Sequence, residues 1–198
     1  RCVVADAKAH LQNARVTTWA CLVARAEFTE QLRHDRAVAR AVEGQPAVVG
    51  APLARGPLQY AALFKTAQRL SAKPVKFGAI TAQSLAKMLV DRHYGSDRDV
   101  ILALADIFNA ELKEVAAAGC RVIQVEEPQH HIAGATGASD KDLEFYTESV
   151  NREIAGVDTE IWLHTCWGNP NQQPLHWERP SYERSLPYLL ATDADVLT

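Results

Sequence analysis

The chain has 198 residues, of which 47% are hydrophobic and 23% charged, the balance of a soluble globular protein with one substantial core. A formal net charge of −3 gives no electrostatic reason to expect nucleic acid as a partner. No apolar run approaches the roughly 20 residues that span a bilayer, and Arg1–Lys8 lacks the apolar core of a signal peptide. We therefore expect a cytoplasmic protein that has no membrane contact and keeps its four scattered cysteines reduced.

The two ends of the sequence predict a piece of a longer protein. There is no initiator Met, and Asp193–Thr198 has the pattern of a strand that is cut short. Residues 1–45 are rich in Ala and Arg, with apolar residues three and four apart, which predicts a helical N-terminal segment of open role. Residues 46–198 are predicted to form the main domain.

From residue 46 onward, short apolar runs alternate with helical patterns. Pro46–Gly50 predicts a strand and Pro57–Ser71 a helix, and the pattern then repeats with a strand at Lys73–Ile80 and a short helix at Ala82–Asp91. The clearest helix is 97–118, with Ser96 as the expected N-cap, Asp97 and Asp99 in its first turn, and Gly119 as the residue that ends it.

The second half of the main domain continues the alternation. Cys120–Pro128 predicts a strand, His130–Ser139 a long loop, and Asp140–Ile154 a helix. A strand at Glu160–Cys166, a polar loop, a helix around Ser181–Ala191 and a last strand follow. Within the loop, His130 and His131 are interpreted as substrate contacts or as surface residues, with surface favoured.

Alternating strands and helices predict an α/β fold with a parallel sheet, either a barrel or a doubly wound sheet. No strand is followed by a glycine-rich phosphate-binding fingerprint, which favours the barrel. Only five strands can be counted, whereas a closed (β/α)8 TIM barrel takes about 250 residues. We therefore predict a TIM barrel that is incomplete in this chain.

Candidate functional residues gather where strands end, which is the functional edge in both architectures. His164 and Cys166 lie two apart on one strand, so they share a face, and imidazole and thiolate are common zinc ligands. Gln124 and Glu126 share a face of the preceding strand in the same way, and Trp162 shares the face of His164. Without other motifs, such a His-x-Cys pair is more often structural than a metal site.

The motifs together resemble a known family. Pro74–Leu85, the helix end at Ala117–Cys120, Val122–Pro128 with its Gln-Val-Glu-Glu-Pro sequence, and His164–Asn169 are similar to the catalytic barrel of cobalamin-independent methionine synthase. The barrel is shared by epoxyalkane:coenzyme M transferase and, more distantly, by uroporphyrinogen decarboxylase. The resemblance covers about residues 46–198.

The resemblance implies zinc-dependent transfer of a methyl or other alkyl group to a thiol. It assigns His164 and Cys166 as zinc ligands, with further ligands from later strands, past Thr198. It assigns Gln124 and Glu126 to binding the substrate, while the catalytic residues stay open. Glu126 stands where the methionine synthases have an Asp that holds the amino group of homocysteine. Its extra methylene moves the carboxylate by about 1.5 Å, which favours a different thiol.

Several functions remain open at this point. Within thiol alkylation, a folate methyl donor with homocysteine competes with an epoxide or other alkyl donor and a small thiol. A metal-free, decarboxylase-like barrel is a second possibility, and a degenerate barrel without catalysis, acting as a binding or scaffold module, is a third. The expected partners are a small-molecule thiol and an alkyl donor, and the oligomeric state is open.

Overall fold

The computed structural model describes residues 46–56, 59–166 and 181–198. The predicted helical segment 1–45 lies outside these residues. Residues 167–180, which hold the polar loop after Cys166, lie outside them as well. The described helices and strands, in chain order, are β1 Ala47–Val49, α1 Tyr60–Arg69, β2 Phe77–Ile80, α2 Ala82–Ala86, β3 Leu89–Asp91, α3 Asp97–Ala117, β4 Val122–Glu126, α4 Gln129–Ala135, α5 Asp140–Ile154, β5 Glu160–His164, α6 Leu186–Leu190 and β6 Val196–Leu197.

All strand pairs in the described part of the chain are parallel. Strands β2, β4, β5 and β6 form one sheet in that order, and β1 pairs with β3 in a second, two-stranded sheet. Helix α3 connects β3 to β4, and α4 with α5 connects β4 to β5. These are repeated β-then-α units, as the alternating pattern predicts.

The core lies between the four-stranded sheet and the helices that pack on its outer face. Alternate residues of the strands point to this face, and they are almost completely buried: Ala79, Ile123, Val125, Ile161 and Leu163. Apolar side chains of α3 and α5, including Leu112 and Val150, pack against them. We call the opposite side, which carries Lys76, Gln124, Glu126, Trp162 and His164, the inner face of the sheet.

Two predicted elements are of a different kind in the structure, and the helix predicted around Ser181–Ala191 is the shorter Leu186–Leu190. The helix predicted at Ala82–Asp91 ends at Ala86, and Leu89–Asp91 is instead strand β3. The reason is tertiary, because Leu89–Asp91 pairs with β1, which is about 40 residues earlier in the chain and cannot be found from local periodicity. The loop predicted at His130–Ser139 is the second difference, since Gln129–Ala135 forms α4.

The long helices follow the sequence closely. Helix α3 begins at Asp97 and ends at Ala117, one residue before the predicted end, and Gly119 after it has φ = 94°. That positive φ is the left-handed conformation in which glycine ends helices. Ser96 is extended like an N-cap, but its side chain makes no capping hydrogen bond. No helix among the described residues is long and apolar enough to cross a membrane.

Candidate functional site

The carboxyl ends of β4 and β5 lie side by side on the inner face. Glu126 and His164 are register partners, and Oε2 of Glu126 lies 3.7 Å from Nε2 of His164. Both side chains are partly exposed. The structure therefore brings together two of the predicted site residues, one from each motif.

The imidazole of His164 is held from its other side by the last residue of the chain. Nδ1 of His164 lies 3.3 Å from Oγ1 of Thr198, next to the end of β6. A hydrogen bond at one ring nitrogen orients the ring and leaves the other nitrogen available to a ligand, here Nε2. Thr198 was not selected from the sequence, because nothing local indicates that β6 pairs with β5 in this register.

Strand β5 ends at His164, so Cys166 lies two residues past it, although the predicted strand includes Cys166. Cys166 is a half-buried free thiol at the carboxyl edge of the sheet. Cys120, by contrast, is buried at the amino end of β4, where its Sγ lies 3.2 Å from the carbonyl oxygen of Val122. Burial raises the pKa of the Cys120 thiol. Cys120 therefore lies at the end of β4 opposite to Glu126.

A line of hydrogen bonds runs down the inner face from Glu126. Nε2 of Gln124 donates to Oε1 of Glu126 at 2.5 Å, and Nζ of Lys76 donates to Oε1 of Gln124, also at 2.5 Å. The Lys76 ammonium lies 4.5 Å from the ring centroid of Trp162, the register partner of Gln124. Lys76 was missed by the sequence analysis, although a charged residue between Val75 and Phe77 is a detectable signal.

Below the inner face, Glu127 joins the ends of three strands. Its side chain is fully buried and accepts hydrogen bonds from Oγ1 of Thr81 at 2.8 Å and from the backbone N–H of His130 at 3.0 Å. Its own N–H donates to the carbonyl oxygen of His164 at 2.6 Å. Alternation sends Glu126 to the inner face and Glu127 away from it, so the two adjacent carboxylates have different roles.

His130 and His131 are not surface residues. Both are fully buried on α4, so the surface interpretation of these two residues is wrong. Nε2 of His130 lies 3.2 Å from Oγ1 of Thr147, and the ring of His131 stacks on Tyr182 with 4.1 Å between centroids. The physical reason is that the Glu127 carboxylate accepts from the first turn of α4, which converts the expected loop into a helix packed on α5.

A second buried carboxylate supports the same region. Oε2 of Glu153, on α5, accepts a hydrogen bond from the backbone N–H of Ala82 at 2.9 Å, at the beginning of α2. Burial raises the pKa of Glu153 to about 8, and the nearby Glu127 carboxylate adds to the increase. At neutral pH, Glu153 is therefore a neutral acid inside the protein.

The side chains at the ends of β4 and β5 match zinc in donor type but not in number. An imidazole nitrogen and a thiol sulfur at one strand end are ligand types that zinc prefers. The contact of Thr198 with Nδ1 orients the imidazole, as a hydrogen bond to the other ring nitrogen does in zinc-binding histidines. Across residues 46–56, 59–166 and 181–198, however, no group of three or more His, Cys, Asp or Glu is arranged to hold a metal ion. The described residues therefore fit part of a zinc site.

Comparison with known proteins identifies the family. The family described as "Cobalamin-independent synthase, Catalytic domain" matches residues 3–198. The chain belongs to this family. Its similarity to a solved B12-independent methionine synthase from Shewanella sp. W3-18-1, in complex with selenomethionine, has a TM-score of 0.64 at 25% identity and covers 76% of this chain and 44% of that one. Together with the parallel strands, this match confirms the predicted (β/α)8 TIM barrel, incomplete in this chain.

Curated relatives of the family are similar over a shorter stretch. A methionine synthase from Sulfurisphaera tokodaii is 31% identical over 85 residues, which are 43% of this chain and 23% of that protein. A methionine synthase from Sulfolobus acidocaldarius is 29% identical over 96 residues, 48% of this chain and 26% of that protein. The matched part of the chain thus spans about a quarter of the length of these relatives.

Proposed function

We propose that the protein transfers a methyl or other alkyl group to a thiol, with zinc as cofactor and His164 and Cys166 as two of the zinc ligands. Further ligands then come from outside the described residues. Gln124 and Glu126 are proposed to line the substrate site beside the metal. The expected partners are a small-molecule thiol and an alkyl donor, as in the relatives that are named methionine synthase.

The observation that carries this proposal is the register of β4 and β5. Glu126 faces His164 across adjacent strands, and both lie at the carboxyl edge with Cys166 just beyond. In TIM barrels this edge carries the active site. A substrate bound against Glu126 is therefore next to the proposed zinc ligand His164.

Each residue of the site has a defined task in this proposal. Zinc, when bound, lowers the pKa of a coordinated thiol so that it is a nucleophilic thiolate at neutral pH. Thr198 holds the His164 ring at Nδ1 and leaves Nε2 for the metal. Glu127 fixes the backbone of His164 through its N–H, which keeps the ends of β4 and β5 together.

The zinc content of the full-length protein tests the proposal. We expect about one zinc per chain by mass spectrometry, and loss of that zinc in Cys166→Ala, because a tetrahedral site needs each of its donors. Cys120→Ala is the matched control, since it removes a thiol from the opposite end of β4. Full zinc affinity in Cys166→Ala would contradict the proposed site.

The same experiment separates the alternatives. A metal-free decarboxylase-like barrel, or a barrel without catalysis, predicts no zinc in either the wild type or the variants. An epoxyalkane:coenzyme M transferase-like activity predicts the same zinc site, and only the alkyl donor and thiol differ. The cytoplasmic location and the division of the chain at residue 45 remain predictions.

A further inference from the structure

Thr165 joins the two proposed zinc ligands and carries a buried hydroxyl group. Its backbone N–H donates to the carbonyl oxygen of Thr198 at 2.9 Å, which ties it to the end of β6. Its Oγ1 atom is buried and has no hydrogen-bond partner among the described residues. The large majority of buried side-chain polar atoms in folded proteins have such a partner, so this hydroxyl group needs one within reach.

Tyr182 is the side chain that interacts with this hydroxyl group. Burial raises the pKa of Tyr182, a hydrogen-bonding interaction with the Thr165 side chain lowers it, and a thiolate at Cys166 raises it. The phenol hydroxyl group therefore lies close to Thr165 and within electrostatic range of the Cys166 sulfur. Its contact with Thr165 does not reach regular hydrogen-bond geometry, in agreement with the unpaired Oγ1 atom.

Helix α4 holds the ring of Tyr182 in place. The ring stacks on the imidazole of His131, with 4.1 Å between the ring centroids and 26° between the planes. His131 is fully buried, and burial lowers its pKa, so the stacked imidazole is neutral at neutral pH. The helix is anchored to the end of β4, because the N–H of His130 donates to Oε1 of Glu127 at 3.0 Å. The phenol therefore reaches Thr165 from a rigid support.

We infer that Tyr182 is a positioning residue of the proposed zinc site, whose hydroxyl group pairs with Thr165 and fixes the backbone between the two ligands. The inference rests on the proposed function and adds a residue that supports the ligands from outside. Tyr182 packs against the core on the outer side of the sheet, so it acts through Thr165 and not on the substrate. Replacing a residue that orients metal ligands in this way typically costs about 10- to 100-fold in metal affinity.

The test measures cobalt(II) binding to the metal-free, full-length protein. Cobalt(II) takes the same nitrogen and sulfur ligands as zinc, and a bound thiolate gives it a charge-transfer absorption that zinc lacks. We expect Tyr182→Phe, which keeps the ring on His131, to weaken cobalt binding by about tenfold. Tyr188→Phe is the matched control and should leave the affinity unchanged, because its hydroxyl group donates to Oδ1 of Asp140, at 2.7 Å, and not to Thr165.

A double-mutant cycle shows whether the effect passes through Thr165. Thr165→Val replaces the hydroxyl group by a methyl group, and we expect the same loss of about tenfold in cobalt affinity. The double variant Tyr182→Phe, Thr165→Val should bind cobalt as weakly as either single variant, because both substitutions remove the same interaction. Two unrelated structural losses would instead multiply, to about hundredfold.

The outcomes separate this inference from the function on which it rests. Equal cobalt affinity of Tyr182→Phe and Tyr188→Phe would overturn it, and so would a loss of about hundredfold in the double variant. If Tyr182→Phe does not fold, Thr165→Val decides, since full cobalt affinity in that variant would also overturn the inference. A wild type that binds neither zinc nor cobalt, or full affinity in Cys166→Ala, counts against the proposed function itself, and the inference falls with it.

Discussion

Replacing Glu153 with Gln should change how stability depends on pH. The folded-state pKa of Glu153 is about 8, against an ordinary value of 4.5, because the carboxyl group is fully buried near the Glu127 carboxylate. Between these two pH values, the folded state keeps a proton that the unfolded state has released. The contribution of Glu153 to wild-type stability therefore falls as pH rises from about 4.5 to about 8, by about 1.4 kcal/mol per pH unit.

The accumulated effect is large for a single side chain. A pKa difference of 3.5, from 4.5 to about 8, corresponds to about 5 kcal/mol once both states are ionised. In Glu153→Gln the side chain stays neutral at every pH, and its amide oxygen can accept from the N–H of Ala82 as Oε2 does now. The amide also buries an NH2 group where Oε1 has no hydrogen-bond partner among the described residues, a cost that does not vary with pH.

The slope against pH is consequently the quantity to measure. Urea unfolding of the full-length wild type and Glu153→Gln, at several pH values from about 5 to about 8.5, gives the free energy of unfolding of each. We expect the variant to gain stability relative to the wild type as pH rises. The difference between the two proteins removes the contributions of all other titrating groups. Parallel curves for the two proteins would refute the reasoning, since they would mean that Glu153 is ionised in the folded state.

Two further substitutions test the packing around the sheet by urea unfolding of the full-length protein. Arg55→Met should lower the free energy of unfolding more than Arg121→Met, because the exposed Arg55 pairs with the buried Glu111 carboxylate at 2.6 Å. Arg121→Met, at another exposed arginine, is the control, and equal stability of the two variants would contradict the role of the pair. Leu163→Ala should cost about 3 kcal/mol, because the side chain is completely buried in the core. Leu190→Ala, at 66% exposure, should cost less than about 0.5 kcal/mol, and a similar loss in both would place the core elsewhere.

The sequence by itself determined the strands and helices other than β3 and α4, the two faces of β4 and the family. A period of two assigns Ile123 and Val125 to one face and Gln124 and Glu126 to the other, whatever the rest of the chain does. A period near 3.6 and Gly119 define α3 and its end in the same local way. These features are predictable because each depends on residues only a few positions apart.

The tertiary structure decided which of these residues meet and what charge they carry. Lys76 and Gln124 are 48 positions apart, and only the parallel pairing of β2 with β4 brings them into contact. The burial of His131 and the raised pKa of Glu153 depend on helices packed from distant parts of the chain. The hydrogen-bond partners of a side chain and the dielectric around it depend on the residues packed against it in the folded protein. No local pattern in the sequence therefore predicts them.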